Sequence, residues 1–415
     1  MKRRWINALN HLILYLFFNL TYCYNLLYLF EINLMKLLKA WTLSITACML
    51  LIGNLHAADG TSPAAQVLID QLGLRASSTP MADVPGWKPK KVLVQILPHM
   101  NMNPTEFKQQ ILAVAGDVEL VFDESGGFIP HERLLADVDA LIGVCTTPAL
   151  KKAGMELRWV HNYFVGMDHC KEVGDIQRAD IVFSNNKRLS GPAIAEHTIA
   201  MLMALTRNLP TYLKAQGEFK WSRAAESGVT FGELRGKTIL IVGLGGIGSE
   251  IAWRAHGLGM RVIATRNSSR TGPDYVEYVG LSDELHALAA KADVVANALP
   301  LTESTTALFD KSFFDAVKPG AIFLSVGRGK STVTDDLIEA LQSGQLYGAG
   351  LDVTDPEPLA PSHALWDQKN IIITPHVSAA GADNIERTKI IAIENLRRYV
   401  AGEALLNVVD MGKGY

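Results

Sequence analysis

The sequence predicts an α/β protein with two doubly wound parallel-sheet domains. Its 415 residues are too many for one ordinary core and enough for two domains. From about residue 91, short apolar runs alternate with amphipathic segments of helix length. This alternation is typical of parallel strands that are covered by helices on both faces.

Composition excludes several other classes of protein. Apolar residues make up 48% of the chain, charged residues 20%, and the formal net charge is only -3, so a disordered or fibrous chain is excluded. Lys and Arg are scattered and not clustered, which argues against a nucleic-acid partner. The four cysteines include no CxxC pair, so neither a disulfide scaffold nor a metal site is expected. Cys145 and Cys170 could pair in an exported protein, but free thiols are favoured.

Residues 1–58 are set apart as a hydrophobic targeting region. Met35 begins a secretory-signal pattern in which a short basic segment precedes an apolar stretch at 40–53 and small residues at Ala57 and Ala58. The apolar stretch is short for a membrane span, so a cleaved signal is favoured. The expected localisation is exported or periplasmic if this signal is used, and cytoplasmic otherwise.

A second uncharged run, residues 12–30, precedes Met35 and is long enough to span a bilayer. It is either a membrane helix or a translated upstream region, and the complete signal pattern that begins at Met35 favours the second interpretation. Membrane contact is expected only through this N-terminal region, if it stays uncleaved.

The sequence of residues 59–90 predicts one helix, with Ser62 as N-cap and Pro63 at its first position. A proline-rich connector follows this helix. A first domain is predicted at 91–201, with a helix at 104–114. Its predicted strands are 92–97, 119–122, 140–144, 159–163 and 181–184.

A helix at 193–206, stopped by Pro210, marks the crossing to a second domain at 202–377. A last helix at 384–400 is expected to complete the first domain as part of residues 378–410. The predicted strands of the second domain are 238–242, 261–265, 294–299, 321–326, 348–353 and 371–374.

The buried strand at 238–242 leads directly into a GxGxxG turn and a helix. Gly243 suits the tight turn, Gly245 lets the backbone approach a pyrophosphate, and Gly248 lets the helix pack on the strand. Gly246 and Ile247 begin the helix, whose N-terminus favours negative charge. A glycine-rich turn without ligand is the alternative, but the complete strand, turn and helix favour a dinucleotide site.

The next strand ends at Thr265, after which a site for NAD usually has an acidic residue for the ribose 2′-hydroxyl. Here Arg266 follows, with Asn267 and Ser268 beside it. A guanidinium and hydroxyl groups suit a 2′-phosphate, so NADP(H) is the preferred cofactor and NAD(H) remains possible. The alternative is a solvated arginine at a strand end.

Residues 90–410 resemble the D-isomer-specific 2-hydroxyacid dehydrogenases, with motifs in the family's order. The 355–359 stretch, Asp-Pro-Glu-Pro-Leu, most resembles glyoxylate and hydroxypyruvate reductases. The resemblance implies a flavodoxin-like substrate domain, a Rossmann NAD(P)-binding domain, and reduction of a small 2-keto acid by hydride transfer. The motifs that carry it are 165–168, 195–197, 299–308, 325–329, 350–359 and 374–378.

The resemblance also implies the roles of individual residues. His376 matches the acid/base histidine, Glu357 its carboxylate partner, and Arg328 the arginine that binds the substrate carboxylate. Imidazole suits proton transfer near neutral pH, and a guanidinium can bind a carboxylate through two bonds. Val165 and Gly166 would offer backbone N–H groups to the substrate.

On the cofactor side, Asp352 would hold the carboxamide of the nicotinamide, and Pro300 and Val326 would line the groove. His161, His169 and His197 are interpreted as structural.

Two alternatives stay open. The chain could be a nucleotide-sensing binding module, like the corepressors that resemble these dehydrogenases, because fold alone does not decide function. Formate dehydrogenase is the alternative among enzymes, but its histidine pairs with Gln, whereas this chain has Glu357. A homodimer is expected, and the particular 2-keto acid cannot be read from the sequence.

Overall fold

The computed structural model describes residues 60–97, 103–171, 180–221 and 231–412. The chain divides into two units, with the boundary after Gln66. The predicted signal and the upstream apolar run lie outside the described residues. In the part that is described, every helix is too short or too polar to cross a bilayer.

The helix predicted after Ser62 is present as α1, Pro63–Leu72. The Ser62 hydroxyl accepts a hydrogen bond from the backbone N–H of Ala65 at 3.2 Å, which is the expected N-cap contact. A short 3-10 turn, Met81–Asp83, follows in the connector.

The first lobe is built on a five-stranded parallel sheet of order β2-β1-β3-β4-β5, the flavodoxin-like order. The strands are β1 Lys91–Gln95, β2 Glu119–Asp123, β3 Ala140–Gly143, β4 Trp159–Asn162 and β5 Val182–Asn185. The helices that follow β1, β3 and β4 are α2 Pro104–Leu112, α3 Thr147–Lys152 and α4 Asp168–Lys171.

The second lobe is built on a seven-stranded parallel sheet of order β12-β11-β10-β9-β6-β7-β8, which is the Rossmann order with one further strand. Its strands are β6 Thr238–Val242, β7 Arg261–Thr265, β8 Tyr278–Gly280, β9 Val294–Asn297, β10 Ala321–Ser325, β11 Leu346–Leu351 and β12 Ile371–Ile373. The predicted fold class is therefore confirmed.

The helices from residue 191 onward are α5 Gly191–Thr206, α6 Leu209–Gly217, α7 Gly246–Gly257, α8 Leu285–Ala289, α9 Lys311–Ala316, α10 Thr334–Gln342 and α11 Ala382–Ala401. Apolar side chains of α5, including Met201 and Leu205, pack into the core of the second lobe, so the boundary predicted at 201/202 falls inside this helix. In contrast, α11 packs on the first lobe, where Tyr399 stacks on Trp159 with ring centroids 4.9 Å apart.

Three local features differ from the sequence-based expectation. Pro210 follows the end of α5 but also lies in the first turn of α6, where its missing N–H removes no helical hydrogen bond. The edge strand β8 was not predicted, because three residues are too few to show a periodic pattern.

The prediction of free thiols is wrong, because Cys145 and Cys170 form a disulfide with Cα atoms 5.7 Å apart. They follow the neighbouring strands β3 and β4, whose ends meet at one edge of the sheet.

Candidate active site

The glycine-rich turn joins β6 to α7, as predicted. Gly243 has φ +97°, a left-handed conformation, and a side chain there would lie 2.9 Å from Leu299 Cδ2. A Cβ on Gly248 would overlap the carbonyl oxygen of Gly243. Glycine at both positions is therefore required for a tight turn with α7 close to β6.

The same turn leaves room for a ligand. A Cβ built on Gly245 meets no atom within 4 Å, so open space lies above this residue. Gly246 and Ile247 begin α7, whose first N–H groups attract an anion at this point. The turn therefore fits the pyrophosphate of a dinucleotide.

Arg266 directly follows β7, which pairs with β6 in parallel. Its backbone N–H donates to the Gly280 carbonyl at 2.9 Å, and its guanidinium donates to the Thr271 carbonyl at 3.1 Å. Asn267 and Ser268 are exposed beside it. The structure thus brings a cation to the end of β7, where the adenosine ribose lies in Rossmann domains.

His376 and Glu357 are joined by a hydrogen bond, with His376 Nδ1 2.7 Å from Glu357 Oε1. Because a carboxylate can only accept, Nδ1 carries a hydrogen and Nε2 is the atom left for a substrate. Both side chains are 43% exposed, so a small molecule can reach them.

His376 has φ +53°, which is uncommon for a residue with a side chain. Its backbone N–H donates to the Asp352 carbonyl oxygen at 2.8 Å. The buried Asp352 carboxylate accepts from the backbone N–H of Val377 at 2.9 Å and of Ser378 at 3.0 Å, and from the Thr374 hydroxyl at 2.7 Å. Asp352 therefore fixes the segment that presents His376. Its predicted contact with a nicotinamide carboxamide stays a prediction.

Arg328 lies against the loop that follows β4, since a Cβ on Gly166 would overlap its guanidinium. The Nε–H group of Arg328 donates to Asp168 Oδ2 at 2.8 Å, and a terminal N–H group donates to the Gly327 carbonyl at 2.8 Å. Arg328 follows β10 in the second lobe, whereas Gly166 and Asp168 belong to the first. The two lobes therefore meet at the Arg328 guanidinium.

Two asparagines orient the backbone of the same loop. Asn185 Nδ2 donates to the Val165 carbonyl at 2.6 Å, and Asn162 Nδ2 donates to the Phe164 carbonyl at 3.1 Å. In a planar trans peptide the N–H points opposite to the C=O. The N–H groups of Gly166 and Val165 therefore point away from these asparagines.

Pro300 follows β9, and Val326 follows β10 and is 5% exposed. Within the described residues, no hydrogen bond or ion pair joins Arg328 to the His376–Glu357 pair. The predicted site residues thus lie beyond the carboxyl ends of parallel strands, where α/β sheets bind ligands. No group of three or more His, Cys, Asp or Glu in the described part of the chain could hold a metal ion.

The sequence did not identify the supporting side chains. Asp168 appeared only as part of a family motif, and the roles of Asn162 and Asn185 have no sequence signal beyond their position after strands. His197, interpreted as structural, bonds through Nε2 to Thr374 Oγ1 at 2.9 Å and so supports the Asp352 network. His161 is fully buried.

Residues 199–378 match the family model described as the D-isomer specific 2-hydroxyacid dehydrogenase NAD binding domain. A glyoxylate reductase/hydroxypyruvate reductase of Mus musculus is 33% identical over 71% of this chain and 92% of the relative. The chain therefore belongs to the D-isomer specific 2-hydroxyacid dehydrogenase family, whose members are NAD(P)-dependent oxidoreductases.

Solved structures agree with this assignment. A D-isomer specific 2-hydroxyacid dehydrogenase family protein from Aeromonas salmonicida superposes with a TM-score of 0.66 at 30% identity, covering 78% of this chain and 100% of that one. An NADPH-dependent glyoxylate/hydroxypyruvate reductase from Sinorhizobium meliloti, in complex with NADP and sulfate, has a TM-score of 0.65 at 26% identity, with 79% and 100% covered.

Proposed function

We propose that this protein reduces a small 2-keto acid of the size of glyoxylate or hydroxypyruvate, with NADPH as the hydride donor. The observation that carries the proposal is the His376–Glu357 pair, joined at 2.7 Å and accessible from solvent. The similarity to glyoxylate and hydroxypyruvate reductases supports this class of substrate.

In this mechanism Arg328 binds the substrate carboxylate, and the N–H groups of Val165 and Gly166 bind the same group from the opposite lobe. A bound NADPH would supply hydride to the keto carbon. The protonated imidazole of His376 gives its Nε2 proton to the carbonyl oxygen, so the product is a neutral hydroxyl group. Glu357 stabilises the imidazolium before transfer and keeps the hydrogen on Nδ1 throughout.

The proposal is tested by replacing His376 with Gln. We expect reduction of glyoxylate, hydroxypyruvate, pyruvate and bulkier keto acids to be lost, because an amide cannot donate a proton in this way. Binding of NADPH, measured by calorimetry, should remain nearly unchanged. Turnover retained by His376→Gln would contradict the mechanism, and failure of the unaltered protein on the whole panel would contradict the substrate class.

The preference for NADPH over NADH rests on Arg266 at the end of β7. A guanidinium attracts a 2′-phosphate, whereas the carboxylate usual in NAD sites would repel it. Comparison of kcat/KM for the two reductants tests this preference directly. A clear preference for NADH would refute the role of Arg266.

Glu357 also separates this proposal from its alternatives. A formate dehydrogenase-like site pairs its histidine with an amide, which cannot stabilise an imidazolium by charge. A nucleotide-sensing module needs no proton donor, so it would not require His376, Glu357 or Arg328. Absence of keto-acid reduction together with tight NADPH binding would favour the sensing module.

We further propose that the substrate lobe comprises residues 91–201 and 378–410, that residues 202–377 bind the cofactor, and that the protein is a homodimer. Support for the dimer comes from exposed apolar side chains just beyond α6, where Phe219 is 98% and Trp221 96% exposed. Light scattering measures the molar mass in solution. The mass of one chain at micromolar concentration would contradict the dimer.

A further inference from the structure

Arg188 lies beside Gly246, where the glycine-rich turn passes into α7, although it belongs to the loop between β5 and α5. A Cβ on Gly246 would lie 2.9 Å from Arg188 Cγ and 3.4 Å from its Cα, so the arginine occupies the space beside the first residue of α7. From there its guanidinium extends to the end of α1, where it donates to the Leu72 carbonyl at 3.1 Å. The first lobe therefore places a cation beside the nucleotide-binding turn of the second lobe.

The backbone conformation of Arg188 is unusual and is fixed by its neighbours. Its φ of +72° is in the left-handed region, which costs a residue with a side chain about 1 kcal/mol. The Arg188 carbonyl accepts from Gly191 at 3.3 Å, where α5 begins, and Leu189 N–H donates to the Asn186 carbonyl at 3.1 Å. This conformation directs the side chain over Gly246, and strain of this kind is frequent at ligand sites.

Two further arginines act on the same guanidinium. The pKa of Arg188 is lowered, first by partial desolvation of its guanidinium and then by the positive charges of Arg75 and Arg266. An acidic group also acts on it, the Glu250 carboxylate, but that group is bonded to Arg254 at 2.6 Å. When positively charged groups repel one another, an anion bound between them offsets that repulsion, so anion binding there is favoured.

The three arginines come from separate parts of the chain. Arg75 lies in the connector after α1, Arg188 in the first lobe, and Arg266 at the end of β7. Both Arg75 and Arg188 are exposed, so a ligand phosphate can reach them.

We propose that Arg188, together with Arg75 and Arg266, binds the 2′-phosphate of NADP(H). The inference rests on the proposed function in one respect, namely that NADP(H) is the cofactor. Arg266 marks the ribose end of the site, and a phosphate monoester there is close to doubly charged near neutral pH, as it is on a phosphorylated side chain. The pyrophosphate is served by the open space over Gly245 and the N-terminus of α7, so it does not require Arg188.

The test is calorimetric binding of NADPH and NADH to the unaltered protein and to Arg188→Gln. We expect Arg188→Gln to weaken NADPH binding roughly tenfold and NADH binding less than about twofold. Arg188→Lys, which keeps the charge, should retain most of the NADPH affinity. The same contrast is expected between 2′-phospho-ADP-ribose and ADP-ribose, which have no reactive nicotinamide.

Arg261→Gln is the matched control. Arg261 lies at the opposite end of β7 from Arg266 and pairs with Glu277 at 2.9 Å. Its loss removes one positive charge from the lobe that also holds Arg266 and should change the affinity for neither cofactor. Retained NADH affinity in Arg188→Gln shows that the variant has folded.

Equal weakening of NADPH and NADH by Arg188→Gln would overturn the proposal, because both cofactors have the pyrophosphate and only NADPH has the 2′-phosphate. Unchanged NADPH binding in Arg188→Gln would overturn the proposal as well. If Arg266→Gln then bound NADPH more weakly and NADH equally well, the proposed preference for NADPH would still hold. If the unaltered protein bound NADH as tightly as NADPH, the inference would fail while reduction through His376 could still hold. Selective loss of NADPH binding in a protein that reduces no keto acid would support the phosphate site and contradict the proposed reaction.

Discussion

Acidification is expected to destabilise the protein through His161, a histidine of β4 that is fully buried. Its Nδ1 lies 2.9 Å from Ser184 Oγ, and its Nε2 is buried without a hydrogen-bond partner among the described residues. Burial lowers the pKa of His161 from 6.5 to about 3. The imidazole therefore stays neutral in the folded protein under mildly acidic conditions.

The direction of the change in the free energy of unfolding depends on whether the folded or the unfolded chain binds the proton more readily. Below about pH 6.5 the unfolded chain takes up a proton at His161, whereas the folded chain does so only near pH 3. The free energy of unfolding thus falls as the pH falls through this window, by about 1.4 kcal/mol for each pH unit. At about pH 4.5 the expected loss from this group alone is roughly 3 kcal/mol.

Urea unfolding followed by circular dichroism, at about pH 7.5 and about pH 4.5, measures this loss. In His161→Gln, which has no titrating ring, the loss of stability on acidification should be roughly 3 kcal/mol smaller. The exposed His131 provides the control, since His131→Gln should keep the full loss. An equal loss in the unaltered protein and in His161→Gln would refute the reasoning.

Three further substitutions test the site by enzyme kinetics, cofactor binding or urea unfolding. Glu357→Gln keeps a hydrogen bond to His376 but removes its charge, so kcat should fall about tenfold, and an unchanged kcat would contradict a role in stabilising the imidazolium. Gly166→Ala places a methyl group on the Arg328 guanidinium, so the KM for the keto acid should rise at least about tenfold while the Kd of NADPH is unchanged; a normal KM would argue against this carboxylate site. Asp352→Asn puts an amide among three hydrogen-bond donors, which should lower the free energy of unfolding by about 1–3 kcal/mol and reduce kcat. If urea unfolding gave this variant the same free energy of unfolding as the unaltered protein, the network would be contradicted.

The sequence alone determined the elements whose signals are local. The buried strand β6, the glycine-rich turn and α7 stand consecutively in the chain, so their pattern is readable without a fold. Both sheets were predicted from alternating strands and helices, and β6 and β7 have the predicted bounds. The motif around His376 also sufficed to place it after the last strand.

Only the tertiary structure decided which distant residues meet. Asp168 bonds to Arg328 across 160 positions, and Arg188 packs on Gly246 from another lobe. The bond from Asn185 to the loop after β4, the disulfide and the Asp352 network likewise join segments that the sequence keeps apart. Periodicity and turn residues report the conformation of a few neighbouring positions, whereas these contacts depend on how completed sheets and helices pack, and that packing has no local signature.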